Sequence, residues 1–114
     1  MRVHFVERPF RSLERLICDA EIVFEEPGPL WNTKLVGFSL WRGNDGDIYV
    51  TFPSRVFGVG PERHFYDYLR SADGNMANIK NVKSWIIAEY RRADSVQPPA
   101  VPAAAHAQGE EALS

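Results

Sequence analysis

Two runs of alternating apolar residues flank the tetrapeptide Gly43-Asn44-Asp45-Gly46, and this arrangement restricts the fold more than any other feature of the chain. On one side, Lys34–Trp41 carries Val36, Phe38 and Leu40 on one face. On the other, Ile48, Val50 and Phe52 alternate with Tyr49 and Thr51. A period of two is the mark of a strand with one buried face, and Gly, Asn and Asp accept the positive φ angles of a tight reversal. The pattern therefore predicts a β-hairpin, closed by Pro53, which cannot donate to a ladder.

The same period appears earlier. In Arg15–Phe24, Leu16, Cys18, Ala20, Ile22 and Phe24 fall on one side and Arg15, Ile17, Asp19, Glu21 and Val23 on the other. This describes a half-buried antiparallel strand. Arg2–Val6, with Val3 and Phe5 on one face, predicts a further strand. Glu25-Glu26-Pro27-Gly28-Pro29 and Gly58-Val59-Gly60-Pro61 read as loops, and His64–Leu69 as a short edge strand. From Met76 to Arg92 the period changes to that of a helix. Ile79, Val82, Ile86 and Tyr90 share one quadrant, Asp73 or Asn75 is placed to cap the first amides, and Arg91 and Arg92 suit the negative end of the helix dipole. Strands first and a helix last give an α+β class: a small antiparallel sheet of about four to five strands with a C-terminal helix packed against it.

Composition sets the limits on this domain. The 114 residues are 45% apolar and 25% charged, as in an ordinary soluble globular protein, and the length suits one domain. Apolar runs such as Leu35–Leu40 are far shorter than the roughly 20 residues of a membrane-spanning helix. A single cysteine fits a reducing, cytoplasmic compartment. Residues 94–114 hold three of the eight prolines, no lysine or arginine and no aromatic residue, the pattern of a disordered Pro/Ala-rich tail after a domain spanning 1–93. Without Asp94, Glu110 and Glu111 of that tail, the formal charge changes from −2 to +1.

Little in the chain points to catalysis or to a cofactor. Cys18 lies on the apolar side of its strand and reads as structural. His4, His64 and His106 lack the spacing of metal ligands. Gly58-Val59-Gly60 does not open into a helix, as a phosphate loop requires, and Ser54 lacks the motif of a nucleophile elbow. The expectation is a non-enzyme without metal or cofactor.

The basic residues are more informative. Lys80, Lys83 and Arg91 lie along one flank of the helical stripe, and Arg92 projects elsewhere. Arg55, Arg63, His64 and Arg70 precede the helix and are interleaved with Phe57, Phe65, Tyr66 and Tyr68. Cations of this kind neutralise phosphates, and exposed aromatic rings stack on unpaired bases. Trp85 lies off the helical stripe and is expected either exposed for binding or buried in a subunit contact. Arg2, Arg8, Arg11 and Arg15 form either a charged edge that discourages aggregation or an arm touching a nucleic-acid backbone. An alternative to nucleic-acid binding is a protein–protein interaction module anchored by Trp31, Trp85 and the Phe65–Tyr68 cluster.

Three blocks resemble the SpoVG family of small bacterial septation regulators. They are Leu35-Val36-Gly37-Phe38-Ser39-Leu40-Trp41 before the turn, Ile48-Tyr49-Val50-Thr51-Phe52-Pro53-Ser54-Arg55 after it, and Ile86-Ile87-Ala88-Glu89-Tyr90 in the helix. The resemblance spans about Arg15 to Arg92. It implies a homodimer joined through strands and a regulator that binds DNA or RNA, with effects on gene expression, sporulation or cell division. By the same resemblance, the nucleic-acid-binding positions would be Arg55, Lys80, Lys83, Arg91 and Arg92. The loop 25–33 is longer than the family's turn, and the link between Phe57 and Asn75 is more aromatic.

Overall fold

A computed structural model describes residues 1–8 and 14–93. The tail expected over 94–114 lies outside the described residues. Four strands, β1 (Arg2–Val6), β2 (Leu16–Phe24), β3 (Thr33–Arg42) and β4 (Ile48–Thr51), form an antiparallel sheet in the order β1-β2-β3-β4. Two short strands, β5 (Ser54–Phe57) and β6 (His64–Asp67), pair as a separate ribbon, and helix α1 (Met76–Arg92) closes the described chain. The architecture is α+β. No helix among the described residues is long and apolar enough to cross a membrane.

One face of the four-stranded sheet supplies the core. Cys18, Ala20, Ile22, Phe38, Leu40 and Val50 are buried there, and Ile86 of α1 is fully enclosed against them. The helix contacts both β4 and β1, so it spans the sheet from one outer strand to the other. At the β1 side, Tyr90 meets Phe5 edge to face, with ring centroids 5.4 Å apart. The opposite face of the sheet is laced with polar contacts. Arg8 donates from Nη2 to Asp19 Oδ1 at 2.7 Å and from Nε to Oδ2 at 3.2 Å, and Ser39 Oγ donates to the same carboxylate at 3.0 Å. Trp41 Nε1 donates to Thr51 Oγ1 at 2.8 Å.

The hairpin is present, but its face assignment differs at one residue. Val36 is half exposed, and Leu35 takes its place against the core. The cause is a bulge. Ala20 pairs with Phe38 and Ile22 with Leu35, so three steps of β3 oppose two of β2. An extra residue reverses the alternation beyond it. Gly37 carries the bulge at φ 106°, and a Cβ there would lie 2.7 Å from Pro53 Cβ. Gly37→Ala should therefore cost about 1–3 kcal/mol, because it adds both backbone strain and a clash. Urea denaturation measures that loss.

The expected edge strand also differs. β6 pairs with Ser54–Phe57, a segment to which the sequence reading assigns no strand, and so does not extend the main sheet. Gly58-Val59-Gly60 lies at the tip of this ribbon. A Cβ at Gly58 would meet Glu62 O at 2.5 Å, so the tight return needs glycine there.

The helix begins as its cap residues dictate. Asn75 Oδ1 accepts from Ala77 N at 2.9 Å, while Asp73 Oδ1 accepts from Asn75 N at 3.0 Å, from Ser71 Oγ at 2.8 Å and from Asn78 Nδ2 at 3.0 Å. Asn75→Ala should cost about 1 kcal/mol of thermal or urea stability. The Asn75 amide, followed by the Ser71 hydroxyl, holds the Asp73 carboxyl below its ordinary pKa. A depressed folded-state value stabilises the fold above the unfolded carboxylate value of about 3.9, and that contribution disappears as pH falls through the lower folded value. Asp73→Asn should thus flatten the acid limb of a melting-temperature profile recorded between about pH 5 and pH 2.

Candidate nucleic-acid interface

α1 carries four of the five basic residues singled out above, and three of them share one flank. Lys80, Lys83 and Arg91 are exposed along one flank, with Ser84 and Ile87 between them. From Lys80 to Arg91 the axial rise is about 16 Å, which matches about five nucleotide steps of one duplex strand. Among the described residues, none of these three side chains has a carboxylate within ion-pair distance. A groove beside the flank is lined by Asp47, Ile48, Tyr49, Ile87 and Arg91. Tyr49 is held there by its hydroxyl, which donates to Asp45 Oδ2 at 2.6 Å. That bond lowers the Asp45 pKa and raises that of Tyr49.

Lys83 links the helix to the ribbon. Its Nζ lies 5.4 Å from the centroid of the Phe52 ring, a cation–π contact. Phe52 is followed by Pro53, Ser54 and Arg55, so at most about 11 Å of chain separates the lysine's contact from the first arginine of the ribbon. Arg55 lies with its guanidinium carbon 4.7 Å above the Phe57 ring.

Arg92 stands apart from this group. It forms an ion pair with Glu89 and lines a concavity beside β1 with Arg2 and His4. The fold thus brings Lys80, Lys83 and Arg91 onto one surface, connects Arg55 to it through Phe52, and places Arg92 elsewhere. The N-terminal arginines are likewise engaged internally. Arg2 bonds Glu25, Arg8 bonds Asp19 and Arg15 reaches the Arg42 carbonyl, while Arg11 lies outside the described residues.

Trp85 is not the exposed side chain that its position on the helical wheel implies. It is half-buried and packed against the core cluster. An indole is long enough to reach the core from beside the apolar stripe, and side chains on a helix lean over the preceding turn.

Sequence reading identified the ribbon's arginines and aromatic residues but missed their arrangement. The pairs Arg55↔Tyr66 and Phe57↔His64 put these four side chains on one face. Ser54, Val56, Phe65 and Asp67 lie on the other, where Arg63 covers the Phe65 ring at 5.4 Å. The signal was present: two β-prone triplets, Arg55-Val56-Phe57 and His64-Phe65-Tyr66, flank a Gly/Pro turn. Comparisons with protein-family models, curated proteins and solved structures return no match to the chain.

Proposed function

We propose that this chain is a small, non-enzymatic, cytoplasmic regulator that binds DNA or RNA, with a role like that of the SpoVG septation regulators in gene expression or cell division. The observation that carries the reading is the row Lys80, Lys83 and Arg91, exposed and without an internal carboxylate partner among the described residues. A nucleic acid carries condensed counterions that unpaired lysine and arginine side chains displace on binding, and their release drives association. With Arg55 the site offers four cations. Binding to a labelled DNA duplex should then weaken with a slope of log K against log salt of about −3.6. Anisotropy titrations at several salt concentrations test this, and a slope near zero overturns it.

The reading includes a homodimer joined through strands. In the described sheet β1 and β4 each have a neighbour on one side only, and a two-fold pairing through one of these edges would double a sparse basic surface. Sedimentation should give twice the 13.0 kDa chain mass.

The alternative reading is a protein–protein interaction module. It is favoured by the exposure of Trp31 at 59% and of Phe65 and Tyr68 at 62% each. Trp85 no longer supports it, being packed on the core. Salt separates the two readings: an aromatic interface keeps its affinity where a phosphate interface loses it.

A further inference from the structure

The β5–β6 ribbon is unusual for what it leaves uncovered. Every residue of β6 is exposed, as are Arg55, Val56 and Phe57 of β5. A two-stranded ribbon is at best marginally stable by itself, and large apolar side chains left in water generally mark a binding surface. On the face shared by Arg55, Phe57, His64 and Tyr66, the Phe57 and Tyr66 rings stand 5.1 Å apart at 81°. The two rings meet edge to face and so form a corner, and Arg70 joins them in lining a shallow concavity. A flat ring laid on one wall of this corner presents its edge to the other.

Charge identifies what the corner accepts. Arg55 and Arg70 accompany the rings, and Arg70 Nε is anchored by the Asp67 carbonyl at 2.7 Å. The Asp67 carboxylate belongs to the opposite face, beside Ser54. Flat rings beside two guanidinium groups, with no carboxylate on the same face of the ribbon, fit a partner that is both planar and anionic.

We infer that this corner is a stacking site for the unpaired bases of a single-stranded nucleic acid, with Tyr66 and the face of Phe57 that Arg55 leaves uncovered as its walls, and Arg55 and Arg70 supplying positive charge for the backbone. The inference rests on the nucleic-acid reading above and narrows it. The helix flank supplies charge for any nucleic acid, whereas the ribbon selects strands whose bases are free. Stacking is sequence-tolerant, because every base has a π face.

The test compares fluorescein-labelled oligothymidine with a duplex of equal length, using the full chain and its Tyr66→Leu, Phe57→Leu and Tyr66→Phe variants. Leucine keeps apolar bulk and removes the π face. The leucine variants should each lose about 5–150-fold in affinity for the single strand and keep their duplex affinity, and Tyr66→Phe should behave as wild type. A 2-aminopurine placed in the strand should be quenched by the wild type and not by Tyr66→Leu, a signature that a purely structural role for Tyr66 would not produce. Unchanged single-strand affinity in both leucine variants overturns the stacking site while leaving the nucleic-acid reading intact. So does a wild-type preference for duplex. Conversion of a dimer to a monomer by Tyr66→Leu, with DNA affinity retained, assigns the face to a second copy of the chain instead. Failure of the wild type to bind either probe removes both readings together.

Discussion

Replacing Lys80, Lys83 and Arg91 together by glutamate should abolish nucleic-acid binding while leaving the fold in place. All three side chains are exposed on one helix flank and make no ion pair among the described residues. Surface changes of this kind usually alter stability by no more than about 0.5 kcal/mol each. Two partial exceptions are Arg91, because a negative charge in the last helical turn opposes the dipole and costs about 0.3–1 kcal/mol, and Lys83, whose loss removes a cation–π contact with Phe52 worth about 0.5–1 kcal/mol. The binding effect is far larger. On a duplex probe with four cations engaged, raising salt from 50 to 200 mM should weaken the wild type by about 150-fold. Each alanine substitution should reduce the salt slope by about 0.9, and triple replacement should leave only the share of Arg55. Glutamate adds repulsion to that loss. Arg92→Ala is the internal control: its guanidinium already pairs with Glu89, so its removal should change the slope little. Anisotropy titrations measure the slopes, and circular dichroism checks the fold. Wild-type affinity in the triple glutamate variant would remove the helix flank from the interface.

The parts of the fold legible in sequence are those set by local periodicity. Leu16, Cys18, Ala20 and Ile22 alternate into the core as their spacing requires, and Ile86 is enclosed at the centre of the helical stripe. Where the reading failed, a non-local event reset a local rule. Val36 was assigned by parity, but the bulge at Gly37 depends on the backbone fitting against Pro53, sixteen positions later in the chain. No strand is assigned to Ser54–Phe57 from sequence, because Pro53 ends the hairpin, yet its ladder partner is the strand beyond the glycine turn. Trp85 was placed by its angle on the helix, which ignores the reach of an indole. The candidate site divides in the same way. The shared flank of Lys80, Lys83 and Arg91 follows from 3.6 residues per turn, and the Glu89–Arg92 pair is the i,i+3 contact that the same spacing permits, but the seating of Arg55 over Phe57 depends on a side-chain choice that spacing does not determine.

Phe38→Ala should be the most destabilising of the core substitutions, at about 3–5 kcal/mol. The Phe38 ring is completely buried and meets the Phe52 ring edge to face, with centroids 5.2 Å apart. Its removal takes apolar area out of the core and leaves a cavity that Ala20, its cross-strand partner, is too small to fill. A domain of this size has a total stability of about 5–15 kcal/mol, so the substitution takes a large share of it. The consequence extends to the interface, because Phe52 is held on one side by Phe38 and carries Lys83 on its ring. A milder change, Phe38→Leu, separates the two effects. It should shift the urea midpoint without changing the slope of unfolding, since the same surface is exposed when the chain unfolds. Nucleic-acid affinity in Phe38→Leu should then fall only if Phe52 moves. A loss of affinity in a variant that is fully folded in buffer would show that the core ring positions the lysine, and unchanged affinity would confine Phe38 to stability.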